Sequence, residues 1–120
     1  MKTLDKKPIK INIAKKPDCP IAKASEIVGD MWTLLIIREL LRGTKRFNEI
    51  QQALVSVYSN HCINSRTLTE RLKVLEKEKI LLRSAVPHEM PPRVEYELTK
   101  KGEALSKIVA DLKSFGRKYL

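Results

Sequence analysis

The sequence predicts a mainly α-helical domain carrying one small β-hairpin, α+β in class. Three observations carry that prediction. Val94, Tyr96 and Leu98 alternate with Arg93, Glu95 and Glu97, the period of two that marks a half-buried strand. Leu81 to Val86 reads as its partner strand, and Pro91-Pro92 between them cannot join a central ladder and so marks loop. The rest of the chain is poor in glycine and spaces its apolar residues three and four apart, the helical period.

The elements follow in order. Asp18-Cys19-Pro20 opens a first helix, about Pro20 to Val28. Pro suits the first helical position, and Asp18 before it can cap free N–H groups. Gly29-Asp30 breaks that helix. A second, about Met31 to Leu41, carries Leu34, Leu35, Ile36, Ile37, Leu40 and Leu41 over most of its circumference and should be buried. Gly43 ends it. A short third helix runs from Lys45 to Leu54, with Phe47, Ile50 and Leu54 on one face. Val55 to Cys62 reads as a loop. Asn64 or Ser65 caps a fourth helix, about 64–79. There Leu68, Leu72 and Leu75 lie within about 60° of one another, while Arg66, Glu70, Lys73 and Lys77 occupy the opposite side. The hairpin follows. Thr99 then caps a final helix with Leu105, Ile108, Val109, Leu112 and Phe115 on one stripe. Such a stripe needs something to pack on, and a second copy of the chain is the simplest candidate. Helix followed by hairpin is the order of a winged helix-turn-helix. The predicted organisation is a basic arm over 1–17, a DNA-binding domain over 18–98 and a dimerisation helix over 99–120.

At 120 residues the chain has the length of one domain. Its formal net charge of +10 says little about fold but points to an anionic partner, nucleic acid or an anionic membrane surface. Half of that charge lies in Met1 to Lys16, with six Lys and one Asp. The arm is either solvated chain or a strand-following phosphate contact. No apolar run approaches the ~20 residues of a membrane span, and no apolar h-region follows the first lysines. The expected location is cytoplasmic, with no membrane partner. Cys19 and Cys62 are far apart in sequence and form no CxxC pair, so no structural disulfide is expected.

Several strings resemble one family. They are Cys19-Pro20; Trp32 with Leu35, Ile36, Leu40 and Leu41; Arg46-Phe47-Asn48-Glu49-Ile50; Leu68-Thr69-Glu70-Arg71-Leu72-Lys73-Val74-Leu75-Glu76; and Pro91-Pro92-Arg93-Val94-Glu95-Tyr96-Glu97-Leu98-Thr99 with Gly102. Together they are similar to the HxlR-type branch of the MarR-like winged helix transcriptional regulators, from roughly Asp18 to Gly116. The resemblance implies a homodimeric, sequence-specific DNA-binding regulator. The helix before the hairpin would enter the major groove, the hairpin wing would touch the backbone or minor groove, and the terminal helices would form the dimer. One departure stands out. Relatives join the third and fourth helices by a short turn, whereas Val55 to Cys62 is several residues longer. The angle between those helices is therefore open, and the longer connection could add a contact.

The candidate DNA-binding residues follow from chemistry. Phosphate needs cations, and base edges need side chains that reach them. The N-terminal part of a recognition helix reads bases, here Ser65, Arg66, Thr69, Glu70 and Lys73. Arg93 on the second wing strand is preferred over Arg83 on the first for phosphate, with Glu89, Glu95 and Glu97 opposing it. Lys45 and Arg46 can meet phosphate at the start of the third helix. Arg71, beside the apolar stripe, anchors either structure or phosphate. Cys19 is the candidate redox or electrophile sensor, since a helix N-terminus favours a thiolate; otherwise it is a small apolar residue at a packed helix start. Cys62 with His61 falls short of the four ligands of a zinc site, so no metal and no cofactor are expected. There is no Ser-His-Asp set, no Gly-rich phosphate loop and no partnered carboxylate pair, which argues against an enzyme. A winged helix serving protein or RNA interaction is the alternative.

Overall fold

A computed structural model describes residues 18–54 and 62–120. The N-terminal arm, His61 and Tyr58 lie outside the described residues. Helix α1 spans Pro20–Val28 and α2 spans Met31–Leu40. Pro20 sits at the first turn as expected, but Cys19 holds the cap position with no side-chain bond, so Asp18 does not cap α1. Asp30 begins α2 by accepting from the Thr33 N–H at 3.1 Å. Gly43, at φ 136°, turns the chain out of α2 in a conformation that favours glycine.

The next residues correct the sequence expectation. Lys45–Arg46 form a strand, β1, and α3 starts only at Phe47 and ends at Ala53. Arg46 has extended φ and ψ, and Glu49 Oε1 accepts its N–H at 2.8 Å. A two-residue strand is too short to show a period of two. It forms because the chain leaving Gly43 meets the open edge of the hairpin.

Helix α4 spans Ser65–Lys77, capped by the Asn64 side chain at the Arg66 N–H, 2.7 Å. Its end is a Schellman motif: the Ile80 N–H reaches Leu75 O at 2.9 Å and the Lys79 N–H reaches Glu76 O at 3.0 Å, with Lys79 at φ 60°. Strands β2 (Leu81–Val86) and β3 (Arg93–Leu98) pair antiparallel, and β1 covers the other edge of β3. The register sets Arg83 opposite Tyr96 and Val86 opposite Arg93; β1 sets Lys45 opposite Tyr96 and Arg46 opposite Glu95.

The final helix is broken in two, where one was expected. Thr99 caps α5 (Lys100–Glu103) by accepting from the Gly102 N–H at 3.1 Å. Hydrogen bonding then tightens, with Leu105 N–H on Gly102 O at 3.0 Å, and α6 runs over Ser106–Tyr119. The core lies under α2, α3 and α4: Ile36, Ile37 and Leu40, Ile50 and Leu54, Ile63, then Leu68, Leu72 and Leu75, closed by Ile80, Leu81 and Tyr96. Trp32 is partly buried against it. No helix among the described residues is long and apolar enough to cross a membrane.

Candidate nucleic-acid interface

Helix α4 is oriented by its leucines. Leu68 and Leu75 are fully buried and Leu72 nearly so, which turns Arg66, Glu70 and Lys73 outward. Burying three leucine side chains contributes several kcal/mol, at roughly 1.5–3 kcal/mol each. That outweighs any preference of the exposed face.

The long connection between α3 and α4 is closed at its ends. The Ile63 N–H donates to Leu54 O at 3.0 Å. Gln51, on α3, donates through Nε2 to Ser65 Oγ at 2.8 Å and to Ile63 O at 3.2 Å. Among the described residues, this backbone bond and the Gln51 amide tie the end of α3 to the start of α4, across the connection whose length left the helix angle open. Neither was signalled in the sequence.

Each expected contact residue has a definite place. Ser65 accepts from Gln51 and keeps its own hydroxyl proton to donate. Arg66, almost fully exposed, pairs with Glu70 at 3.3 Å, an exposed i,i+4 pair of little energetic weight. Thr69 donates its hydroxyl to Ser65 O at 2.8 Å, which leaves its methyl and oxygen lone pairs for a base. Lys73 has no ion-pair partner among the described residues. Lys45 and Arg46 are strand residues rather than the first turn of a helix, and Arg46 is the N-cap residue of α3, beside the N–H groups of its first turn.

The wing separates its two arginines. Residues directly opposite each other in an antiparallel pair share a face. Arg83 therefore shares the face of buried Tyr96, toward α4. It lines a groove of about 380 Å³ with Phe47, Thr69, Leu72, Lys73, Glu76 and Tyr96. Arg93 lies on the other face with Glu95. There it meets Arg46, Glu89 and Met90 in a second hollow of about 540 Å³. The Arg93 guanidinium is bidentate to Glu89 and reaches Glu95 Oε1 at 3.3 Å. These carboxylates raise its pKa above the ordinary arginine value. The structure thus joins Thr69 and Lys73 with Arg83, and Arg46 with Arg93, in two separate places.

Arg71 turns inward to α2. Its Nε donates to Asp30 Oδ2 at 2.8 Å and its Nη2 to Oδ1 at 3.4 Å. The guanidinium holds the Asp30 carboxyl below its ordinary value of 3.8, against a smaller opposing effect of burial. Cys19 and Cys62 are exposed free thiols. No cluster of three His, Cys, Asp or Glu able to hold a metal occurs among the described residues.

A model of the HxlR-like helix-turn-helix family matches residues 27–120. The chain belongs to the HxlR-like helix-turn-helix family. It is similar to the HTH-type transcriptional regulator YvaP of Bacillus subtilis strain 168, with 39% identity over 103 residues covering 85% of this chain and 89% of that one. The crystal structure of a MarR-family transcriptional regulator from Porphyromonas gingivalis W83 superposes with TM-score 0.77 at 33% identity, covering 93% of this chain and all of that one. The redox regulator HypR in its oxidised form superposes with TM-score 0.73 at 33% identity, over 85% of this chain and 98% of HypR. The fold and the family place this HxlR-like chain among helix-turn-helix transcriptional regulators, whose general partner is DNA.

Proposed function

We propose that this HxlR-like chain acts as a homodimer on a twofold operator, with α4 in the major groove and the β2–β3 wing on the flanking backbone. The observation that carries the reading is the groove shared by Thr69 and Lys73 of α4 with Arg83 of the wing. It sets helix and wing cations side by side, as a helix in the major groove with a wing on the adjoining strand requires. Ser65, Arg66 and Thr69 take base edges, Glu70 steers Arg66, and Lys73 and Arg83 take phosphate. Arg46 and Arg93 lie apart from that groove, in the hollow on the other face of the hairpin; Arg93 reaches phosphate only by leaving Glu89.

The dimer half of the proposal rests on α6. Ile108, Leu112, Phe115 and Tyr119 are 44–64% exposed and follow one another at spacings of three and four. They form an apolar stripe that the chain's own core does not cover. Residues 18–98 then read DNA and 99–120 join the two copies. Half-sites would lie about 34–36 Å apart. Cys19, exposed at the start of α1, is proposed as the thiol through which oxidants or electrophiles change operator affinity. HypR, a redox regulator solved in both oxidised and reduced forms, supports that extension.

The test is selection of duplexes from random DNA, followed by binding titrations at two salt concentrations with and without a thiol oxidant. A twofold, salt-dependent site establishes the regulator. An oxidant response lost in Cys19→Ser assigns the sensor, and one that persists removes Cys19 from that role. Weak binding that is equal on every duplex favours the protein or RNA interaction alternative.

A further inference from the structure

Asp30 joins two elements far apart in the chain. Its carboxylate caps α2, accepting from the Thr33 N–H at 3.1 Å and the Thr33 hydroxyl at 3.2 Å. The same carboxylate accepts from Arg71, 41 residues further on, in a fork of 2.8 and 3.4 Å. Thr33 is buried, so the carboxylate is fixed to the rigid start of α2 before it meets α4.

The position of Arg71 on α4 decides what the pair can do. At about 100° per residue, Arg71 lies about 160° from Lys73 and about 140° from Arg66. It faces away from the side that carries the proposed DNA contacts, on the flank of the leucine stripe nearest Leu75. It cannot reach the bases that Arg66 and Thr69 would read. A buried apolar stripe decides which side of a helix turns inward, but the hydrophobic effect is non-directional and supplies no directed bond to set the final rotation. A forked guanidinium–carboxylate pair has a set geometry.

We propose that Asp30 and Arg71 are positioning residues, a strut that sets the rotation of α4 about its axis and so the register of Ser65, Arg66, Thr69 and Lys73 on the operator. This rests on α4 being the recognition helix. The strut touches no DNA, so its loss lowers discrimination between sequences rather than general attraction to DNA. The carboxylate also sits at the α1–α2 corner, which makes that corner, rather than α3 alone, the support for α4.

The experiment uses the full chain, a duplex selected by the wild-type protein and a scrambled duplex of equal length. Asp30→Asn keeps an oxygen for the Thr33 cap and removes the ion pair. Arg71→Gln and the double variant complete a cycle, and Arg71→Lys keeps charge without the fork. Thermal melts confirm folding. The expected result is a loss on the order of tenfold on the selected duplex, the middle of the range for side chains coupled to a binding face without touching the ligand. Affinity for the scrambled duplex and the salt slope should hold in Asp30→Asn, and the double variant should be no worse than either single one. Arg71→Lys should fall with Arg71→Gln.

Three results overturn the strut. The first is weakening of both duplexes by Arg71→Gln with the salt slope lower by about 0.9, as for a direct phosphate contact, while Asp30→Asn, one negative charge fewer, tightens both. The second is a lowered melting temperature in Asp30→Asn with discrimination intact. Finally, a wild-type protein that selects no sequence removes the recognition-helix reading and the strut with it; loss of the strut alone leaves selection by the wild type in place.

Discussion

Arg93 is bidentate to Glu89 at the wing tip, Nε on Oε2 at 2.9 Å with Nη2 on Oε1, and its third nitrogen reaches Glu95 at 3.3 Å. The arginine that opens β3 is thereby neutralised by two carboxylates. Glu89→Gln should release it. The expected outcome is tighter DNA binding at low salt, with the salt slope steeper by up to about 0.9 as one more phosphate is engaged. Weaker binding in that variant would mean that the Glu89 pair shapes the wing for docking.

Arg66 and Arg83 should behave differently when cut back. Arg66→Ala removes a candidate base contact, which should cost ~1–3 kcal/mol on the selected site and relax preference at one position. Arg83→Ala should weaken every duplex alike and lower the salt slope by about 1. Quantitative anisotropy titrations against single-position variants of the site separate the two. Equal behaviour of both variants would mean that the division between helix and wing is misplaced.

Much of this was legible in the sequence, and what was not has physical causes. The alternation through Val94, Tyr96 and Leu98 announced β3 because only one of its faces is covered. The leucines of α4 announced both the helix and its outward side. Lys45–Arg46 carry no strand signal, because two extended residues show no period and the strand exists only where β3 offers an edge. Arg83 and Arg93 look alike as residues; only the pairing of Arg83 with Tyr96 puts one arginine toward α4 and the other away. Asp30 and Arg71 meet across 41 residues, a separation over which no local pattern speaks. The sequence alone leaves Arg71 open between structural anchor and phosphate contact; its side chain lies on Asp30.

Gly102 is packed where no side chain fits. A Cβ there would lie 2.2 Å from Ile80 O and 2.9 Å from Leu98 Cδ2. The first of these is backbone, held in turn by the Thr99 N–H at 3.0 Å, so it cannot move aside cheaply. Gly102→Ala should destabilise by about 1–3 kcal/mol, the usual cost of overpacking, read as a lower denaturation midpoint. An unchanged midpoint would mean that α5 can pull away from the hairpin without loss.

The Asp30–Arg71 pair sets a pH dependence of known sign. The folded-state Asp30 carboxyl titrates below its ordinary 3.8, so it contributes stability above that value, and the contribution is lost as pH falls through the folded-state pKa. Arg71, raised above its ordinary value, stays charged throughout. Wild type should melt above Asp30→Asn near neutral pH, and the gap should close below about pH 4. Since both side chains are about one-third exposed, the gap should be small and should shrink with added salt. A gap that stayed constant into strong acid would mean that the charge of Asp30 is not its source.

The stripe on α6 predicts an oligomeric state that one substitution can change. Leu112 and Phe115 are half exposed, and Phe115 stacks with Tyr119 at 5.2 Å between ring centres on the same uncovered side. Leu105 and Val109, at the inner edge of the same stripe, pack against the chain's own core, while Leu112 lies beside a hollow between α6 and α2. Leu112→Glu places a charge in the proposed interface at a residue outside the buried core. Burying an unpaired carboxylate there would cost several kcal/mol, enough to dissociate a dimer at micromolar concentration. Sedimentation should show wild type as a dimer and Leu112→Glu as a folded monomer. The monomer should bind a single half-site weakly and lose the steep affinity that two linked half-sites confer. A variant that stays dimeric would move the interface elsewhere, and a wild-type monomer would remove it.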